Sequence, residues 1–383
     1  MNRKGVIVPF LFLFALLCAA PEVGAGRRSP EAAGQVRGVW LHPGLFGPAR
    51  DVAAAKIPAV LDAYVKAGIN SLFILVKNTT GHVYFQSRIG VADPAYGWDF
   101  FDLFLAEARK RNMTVHAWFC VFPEAAVLGE VRQHPEWLIR DKERRFVATA
   151  NPALPAVRQY EISLMLELVR RYPVDWVHLD YIRYPCDPVE PNFSFDGETL
   201  RLFKEFSGVD LLQVKAHDSG NMFWNAWLEW NRDQVTQFMR ELGEALRLVG
   251  RRVQVSAAVF PDPVNASVLI GQDWPRWAEE GLVEMLCPML YTNHTAFFEK
   301  AVRRAMEAAK GRSLLCPGIG IGTSHNQNTP EGMAEQMRIS RELGAAGVVF
   351  FSGSSLGEPF LERLKGLDGA RPLASGDPAS QRR

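Results

Sequence analysis

The sequence predicts an α/β fold, a single (β/α)8 TIM barrel with long βα loops, and three observations carry that prediction. Eight apolar, β-prone runs alternate with helical patterns across residues 36–366. The runs are apolar throughout instead of alternating, the signature of strands buried on both faces under helices. No G-x-G-x-x-G turn follows the first run, which disfavours an open doubly wound sheet.

The first run, Val36–Leu41 (V-R-G-V-W-L), reads as a buried strand. A helix over 57–66 follows, with Pro58 in its first turn and Gly68 as its stop. Strand two covers 69–77 and leads, through a long loop holding Tyr84, Tyr96 and Trp98, to a helix over 99–111 and strand three over 113–122. After a loop over 123–151 come a helix over 153–171 and strand four over 174–182, part of the stretch V-D-W-V-H-L-D-Y-I-R-Y-P. The next connection is the longest. It holds a helical stretch from Glu198, a turn at Ser207-Gly208 and an amphipathic pattern over 221–248. Strand 252–260, helix 274–280, strand 283–291, helix 296–309, strand 313–319, helix 330–343, strand 346–352 and a short helix near 359–365 complete eight strand–helix units. No second domain is expected.

The termini read differently. Residues 1–25 have the form of a secretory signal, with Arg3 and Lys4 ahead of an apolar run over 6–20 and Val23-Gly24-Ala25 as the cleavage site. That run is short for a bilayer-spanning helix and is interrupted by Pro9, so no stable membrane insertion is expected after cleavage. Leu17 directly before Cys18 argues against lipid attachment. Residues 26–35 read as a flexible lead-in and 367–383 as a disordered tail. The expected location is periplasmic or extracellular.

Composition narrows the partners. The chain is 48% hydrophobic and 22% charged with a net charge of +1, and the signal segment accounts for that excess. A mature chain near neutrality has no basic stripe for nucleic acid. Cys120, Cys186, Cys287 and Cys316 are too widely spaced for a zinc ribbon or a C-x-x-C pair, and no H-x-H or H-E-x-x-H occurs. Neither a metal nor another cofactor is expected.

Chemistry in a barrel of this kind sits at the carboxyl ends of the strands. The candidates there are His42 after strand one, Lys77 on strand two, His116, Trp118 and Glu124 at strand three, and Asp180, Arg183 and Tyr184 at strand four. Asp262, Asp273, Trp274, Tyr291 and His325 continue the rim. Four carboxylates, Asp180, Glu124, Asp262 and Asp273, thus share a rim rich in flat aromatic rings. Cleavage of a glycosidic bond needs one carboxyl group to protonate the leaving oxygen and another to attack or activate water, while aromatic rings stack on sugars. The structural alternatives are specific. Asp180 could tie down Arg183, Asp273 could cap a helix, Asp262 could be a turn residue between prolines, and Glu124 could be a capping or loop charge. His116 and His178 fit hydrogen-bonded core positions, and Lys77 fits an ion pair as well as a substrate contact. Trp40, Trp176 and Trp277 read as core.

Five stretches carry a resemblance: R-G-V-W-L at 37–41, V-H-A-W-F at 115–119, V-H-L-D-Y-I-R-Y-P at 177–185, G-Q-D-W-P-R-W at 271–277 and C-P-M-L-Y-T at 287–292. Together they resemble the glycosyl hydrolase-like 10 family, a bacterial group, over residues 37 to about 352. The resemblance implies a (β/α)8 barrel and glycoside hydrolysis outside the cytoplasm. In characterised relatives the substrate is the glycan strand of peptidoglycan. It also implies a catalytic role for Asp180 and places Asp273, Trp274 and Tyr291 in matching motifs. The chain departs from the family pattern at Trp176, where glycine is usual, and at Glu284, where aspartate is usual. Both positions lie toward strand starts and bear on packing. The expectation is therefore a secreted glycosidase in which Asp180 is nucleophile or base and Glu124, Asp262 or Asp273 is the acid. A barrel that binds glycan without cleaving it, and a transglycosylase using the same residues, are the alternatives.

Overall fold

The computed structural model describes residues 35–186, 191 and 193–367. The expected signal segment, the lead-in before Gln35 and the tail after Leu367 lie outside them. Eight parallel strands close into a barrel: β1 (Val36–Leu41), β2 (Ser71–Lys77), β3 (Thr114–Cys120), β4 (Trp176–Asp180), β5 (Gln254–Val259), β6 (Met285–Leu290), β7 (Gly318–Gly320) and β8 (Gly347–Phe351). β8 closes the ring on β1, with Val36 opposite Gly347. A separate short strand, Leu314–Leu315, precedes β7, because Pro317 has no N–H to offer the ladder. The uniformly apolar runs are explained by their setting: every residue of β1 and β2 is buried.

The helices of six residues or more are α1 (Arg50–Lys66), α2 (Phe100–Lys110), α3 (Pro155–Arg171), α4 (Gly197–Ser207), α5 (Met222–Arg247), α6 (Pro263–Ile270), α7 (Trp274–Glu279), α8 (Thr295–Ala309), α9 (Pro330–Glu342) and α10 (Glu358–Lys365). Side chains set several starts. Asp99 caps α2, Asp196 accepts from Thr199 N at 2.9 Å to cap α4, and Asn221 accepts from Phe223 N at 2.9 Å to cap α5. Gly208, with φ of +74°, ends α4 where the Ser-Gly turn was expected. Two expectations are corrected. α1 begins at Arg50, so Pro58 lies inside the helix and not in its first turn. The Ala-rich segment before Ile57 shows no apolar period to reveal it. The loop over 123–151 contains an antiparallel ladder of Leu138–Arg140 with Phe146–Ala150. No helix among the described residues is long and apolar enough to cross a membrane.

Side chains on each strand alternate between the barrel interior and the helix layer. The interior below the mouth holds a polar chain. Trp40 Nε1 donates to His178 Nε2 at 3.0 Å, which leaves the His178 proton on Nδ1, 2.9 Å from Ser256 Oγ. The Ser256 hydroxyl is then available to donate to His116 Nδ1 at 3.0 Å. His116 also stacks between Phe73 and Trp176, with ring centroids 4.0 and 4.7 Å away. Burial pushes His178 down to about 3 and His116 well below the ordinary imidazole value, so both rings are neutral. His116 is a core group and not a substrate contact, because its ring is enclosed on both faces.

Candidate active site

At the carboxyl ends of the strands lies a cavity of about 820 Å³. Asn78 and Thr79 after β2, Trp118 and Cys120 on β3, and Asp180, Tyr181 and Arg183 at β4 form one side. Phe260, Met289, Tyr291, Phe297, His325 and Phe351 form much of the other, and His42 stands after β1. Asp180 is the only carboxylate among the described residues that lines it.

Strand geometry delivers Asp180. His178 faces the barrel interior, so the two-residue step along β4 carries Asp180 to the mouth above it. Tyr181 then turns the chain in the left-handed region, at φ of +51°, an arrangement that costs about 1–3 kcal/mol for a residue of this type. The turn aims the Tyr181 N–H back at Asp180 Oδ1, 2.7 Å away. Asp180 is 7% exposed. Burial raises its pKa above the usual carboxylate range, while the Arg183 charge, the Tyr181 N–H and the Trp118 indole pull it back. The outcome is a carboxyl group held nearer the balance between acid and base than a solvated aspartate. Tyr291 stacks on Phe351 with centroids 5.2 Å apart. Its phenol is pushed well above the ordinary value by burial and by the nearby Asp180 charge, so it keeps its proton.

Of the expected site residues, the cavity gathers His42, Trp118, Asp180, Arg183, Tyr291 and His325. The others are held elsewhere. Lys77 and Glu124 form a fully buried ion pair at 2.8 Å, and Lys77 pairs at 2.8 Å with Glu161 of α3 and donates to Val121 O at 2.6 Å. Burial opposes the Lys77 charge, but the two glutamates outweigh it and raise its pKa. Glu124 is therefore a structural counter-ion and not a rim acid. Asp262 caps α6 by accepting from Val264 N at 3.0 Å and Asn265 N at 2.9 Å, and it also pairs with Arg304. Asp273 faces Arg232 at 3.5 Å from the start of α7. Trp274 is fully buried with Nε1 donating to Phe260 O at 3.0 Å, and Tyr184 is fully buried against Phe193, 4.2 Å between centroids. Neither can offer a face to a ligand. All four described cysteines are unpaired thiols.

Sequence reasoning passed over Asn78, Cys120, Phe260, Met289, Phe297 and Phe351. Phe260 and Phe351 stand at or near the ends of expected strands, so strand parity could have found them. A search restricted to polar groups at strand ends could not. Phe297 lies on α8, where no periodicity points to the mouth of the barrel.

Known proteins agree with this architecture. The glycoside hydrolase domain of PgaB (BpsB) from Bordetella bronchiseptica superposes with a TM-score of 0.67 at 15% identity, covering 89% of this chain and all of that one. An alpha-L-fucosidase isoenzyme 2 from Paenibacillus thiaminolyticus gives 0.61 at 15% identity, covering 87% of this chain and 48% of that one. At these identities the likeness shows the fold alone. Among curated proteins, glycosyl hydrolase YngK of Bacillus subtilis is 22% identical over 61% of this chain and 48% of its own length. Glycosyl hydrolase DigH of Escherichia coli K12 is 27% identical over 60% of this chain and 56% of its own. The chain thus spans about half the length of the curated relatives it matches. The model of the family described as glycosyl hydrolase-like 10 matches residues 35–329, and the chain, a closed barrel with a carboxylate at the end of its fourth strand, belongs to that family.

Proposed function

We propose that this protein hydrolyses glycosidic bonds in a polysaccharide, with Asp180 as the carboxylate at the reacting carbon. The observation that carries the reading is the placement of a buried carboxyl group, with a raised pKa, at the end of β4 in a cavity walled by aromatic rings. Asp180 serves as nucleophile or as the base that activates water, and Trp118, Tyr181, Tyr291 and Phe297 offer flat faces to the sugars. Glu124, Asp262 and Asp273 are engaged in an ion pair, a helix cap and an arginine contact, so the acid for the leaving oxygen is another group. Asp187 and Glu190 follow Cys186 in the sequence, outside the described residues, and are the carboxylates to substitute in the same assay. Glycan strands of peptidoglycan are the proposed substrate. Export by residues 1–25 is proposed with it, and a mature chain beginning at Gly26 in mass spectra of the secreted protein is the check.

The test is release of reducing ends from glycan strands stripped of peptide. Wild type releases them, and Asp180→Asn lowers the rate by about 10²-fold or more. Full activity in Asp180→Asn would sink the assignment. One observation favours the binding-only alternative: Asp180 has no carboxylate companion among the described lining residues. That alternative predicts saturable glycan binding with no reducing ends from wild type. A transglycosylase would instead yield saccharides longer than those supplied.

A further inference from the structure

Arginines in this protein are commonly paired with acids. Arg158 meets Glu241 at 2.9 Å, Arg111 meets Asp62 at 2.7 Å, Arg240 meets Glu280 at 2.7 Å, and Arg304 meets Asp262. Arg183 is different. It lines the cavity, yet it forms no ion pair among the described residues, and its buried Nε has no hydrogen-bond partner. Its guanidinium carbon lies 4.3 Å from the Tyr181 ring centroid and 4.9 Å from that of Phe260. Two aromatic rings thus stand within cation–π distance of the guanidinium and hold it at the cavity wall. Its buried Nε is left without an acceptor, and a guanidinium edge is the group that matches a carboxylate with two hydrogen bonds.

A second donor is in the same condition. Trp118 is 8% exposed and lines the cavity, and its Nε1, near enough to Asp180 to lower the carboxyl pKa, makes no hydrogen bond of ordinary geometry. Leaving a buried donor unmade costs about 1–3 kcal/mol, so two of them in one cavity mark a surface completed by a ligand rich in acceptors. Asp180 does not complete the Arg183 edge, since it makes no ion pair with that guanidinium; it accepts from Tyr181 N at 2.7 Å, and the Trp118 indole beside it also lowers its pKa.

We propose that Arg183 is the specificity-determining residue of the cavity and that it binds a carboxylate carried by the saccharide, either an ether-linked lactyl acid or a uronic acid. This rests on the reading of the cavity as a glycan site, and it adds that the preferred glycan is acidic. Cavity charge favours it: Arg183 is the only Lys or Arg among the described lining residues, so the cation has no competing role in holding a second anion.

The test measures affinity by calorimetry for four tetrasaccharides. The first alternates N-acetylglucosamine with N-acetylmuramic acid, and the second is the same strand with its lactyl carboxyls reduced to alcohols. The third is a uronic acid-containing hyaluronan fragment and the fourth is chitotetraose. Charge-assisted hydrogen bonds of the usual strength predict that wild type binds one of the acidic ligands about 10- to 100-fold more tightly than chitotetraose. Preference for the first or the third identifies the lactyl or the uronic source. If the lactyl source is right, reduction of the carboxyls removes the preference. Arg183→Gln abolishes the preference by weakening the acidic ligand far more than chitotetraose, and Arg183→Lys restores part of it. Equal binding of acidic and neutral ligands by wild type overturns the inference. So does an Arg183→Gln variant that keeps the preference, or one that weakens all ligands alike. Should that variant fail to fold, the comparison of ligands on wild type still decides. Product analysis of the same samples separates the two readings. Preferred binding of an acidic strand without cleavage removes the hydrolase and keeps the role of Arg183, whereas equal cleavage and binding of all ligands does the reverse.

Discussion

Replacing Lys77 by Met removes the cation from a cluster in which no side chain is more than 1% exposed. Met matches the aliphatic stem of lysine, so the packing loss is small and the effect is electrostatic. Burial and the neighbouring Glu124 raise the Glu161 pKa against the pull of Lys77, so the single ammonium of Lys77 is what holds carboxylate charge in this buried cluster. Without the ammonium, the remaining carboxylate has to take a proton to stay buried. Protonating at pH 7 a group that ordinarily ionises near 4.3 costs about 1.4 kcal/mol per unit, or about 3.7 kcal/mol, and about 1 kcal/mol at pH 5. The sign follows from linkage. In the variant the folded pKa lies above the unfolded one, so stability present at low pH is lost as pH rises. Urea unfolding of both proteins followed by tryptophan fluorescence at pH 5, 6 and 7 should therefore show a deficit that grows by about 1.4 kcal/mol per pH unit. A deficit of the same size at pH 5 and pH 7 would refute this account of the cluster. Adding Glu124→Gln and Glu161→Gln to Lys77→Met should recover most of the loss at pH 7.

Three further outcomes follow from the same contacts. Gly81, at φ of +94°, would place a Cβ 2.1 Å from Glu124 Oε2, so Gly81→Ala should cost about 1–3 kcal/mol in urea unfolding; a neutral result would mean that Glu124 moves at no cost. Asp262→Ala should lose a cap worth about 0.5–2 kcal/mol while glycan cleavage continues at the wild-type rate, and a collapse of activity with an intact fold would return Asp262 to the catalytic candidates. Trp274→Phe should lose the hydrogen bond to Phe260 O, about 1 kcal/mol, without a change in KM, because the indole faces the core; a raised KM at unchanged stability would contradict its burial.

Strand order, barrel closure and the position of Asp180 were legible because doubly buried strands and their helical returns leave a strong apolar pattern. Most strands stop a residue or two inside the expected limits, where the ladders end, whereas the seventh is Gly318–Gly320 in place of 313–319, and helix α6 stands where only a turn around Asp262 was expected. The rim acids were less legible. Glu124, Asp262 and Asp273 all follow strands in the sequence, yet what each carboxylate does is decided by Lys77, by the α6 amides and by Arg232, groups 47, 2–3 and 41 positions away. Spacing along the chain does not report which of these partners a loop will meet. Aromatic residues divide the same way: Trp118 on β3 and Tyr291 directly after β6 reach the cavity, whereas Tyr184, in the loop after β4, and Trp274, the first residue of α7, turn inward.

Lys77 shows why parity alone can mislead even within a strand. Phe73 contacts His116 and His178 in the barrel interior, and Leu75 lines the cavity, so a further step of two should aim Lys77 into the mouth beside Asp180. The register breaks between them: Leu75 is opposite Trp118, but Lys77 is opposite Phe119. One extra residue on β2 turns Lys77 from the interior set to the helix layer, where Glu161 of α3 receives it. Nothing in the run S-L-F-I-L-V-K announces that irregularity, since a strand covered on both faces is apolar at odd and even positions alike. The same bulge has a chemical consequence. It keeps an ammonium group out of the cavity, where it would pair with Asp180 and lower its pKa, and so leaves Arg183, beside the Tyr181 and Phe260 rings, as the sole Lys or Arg among the described lining residues.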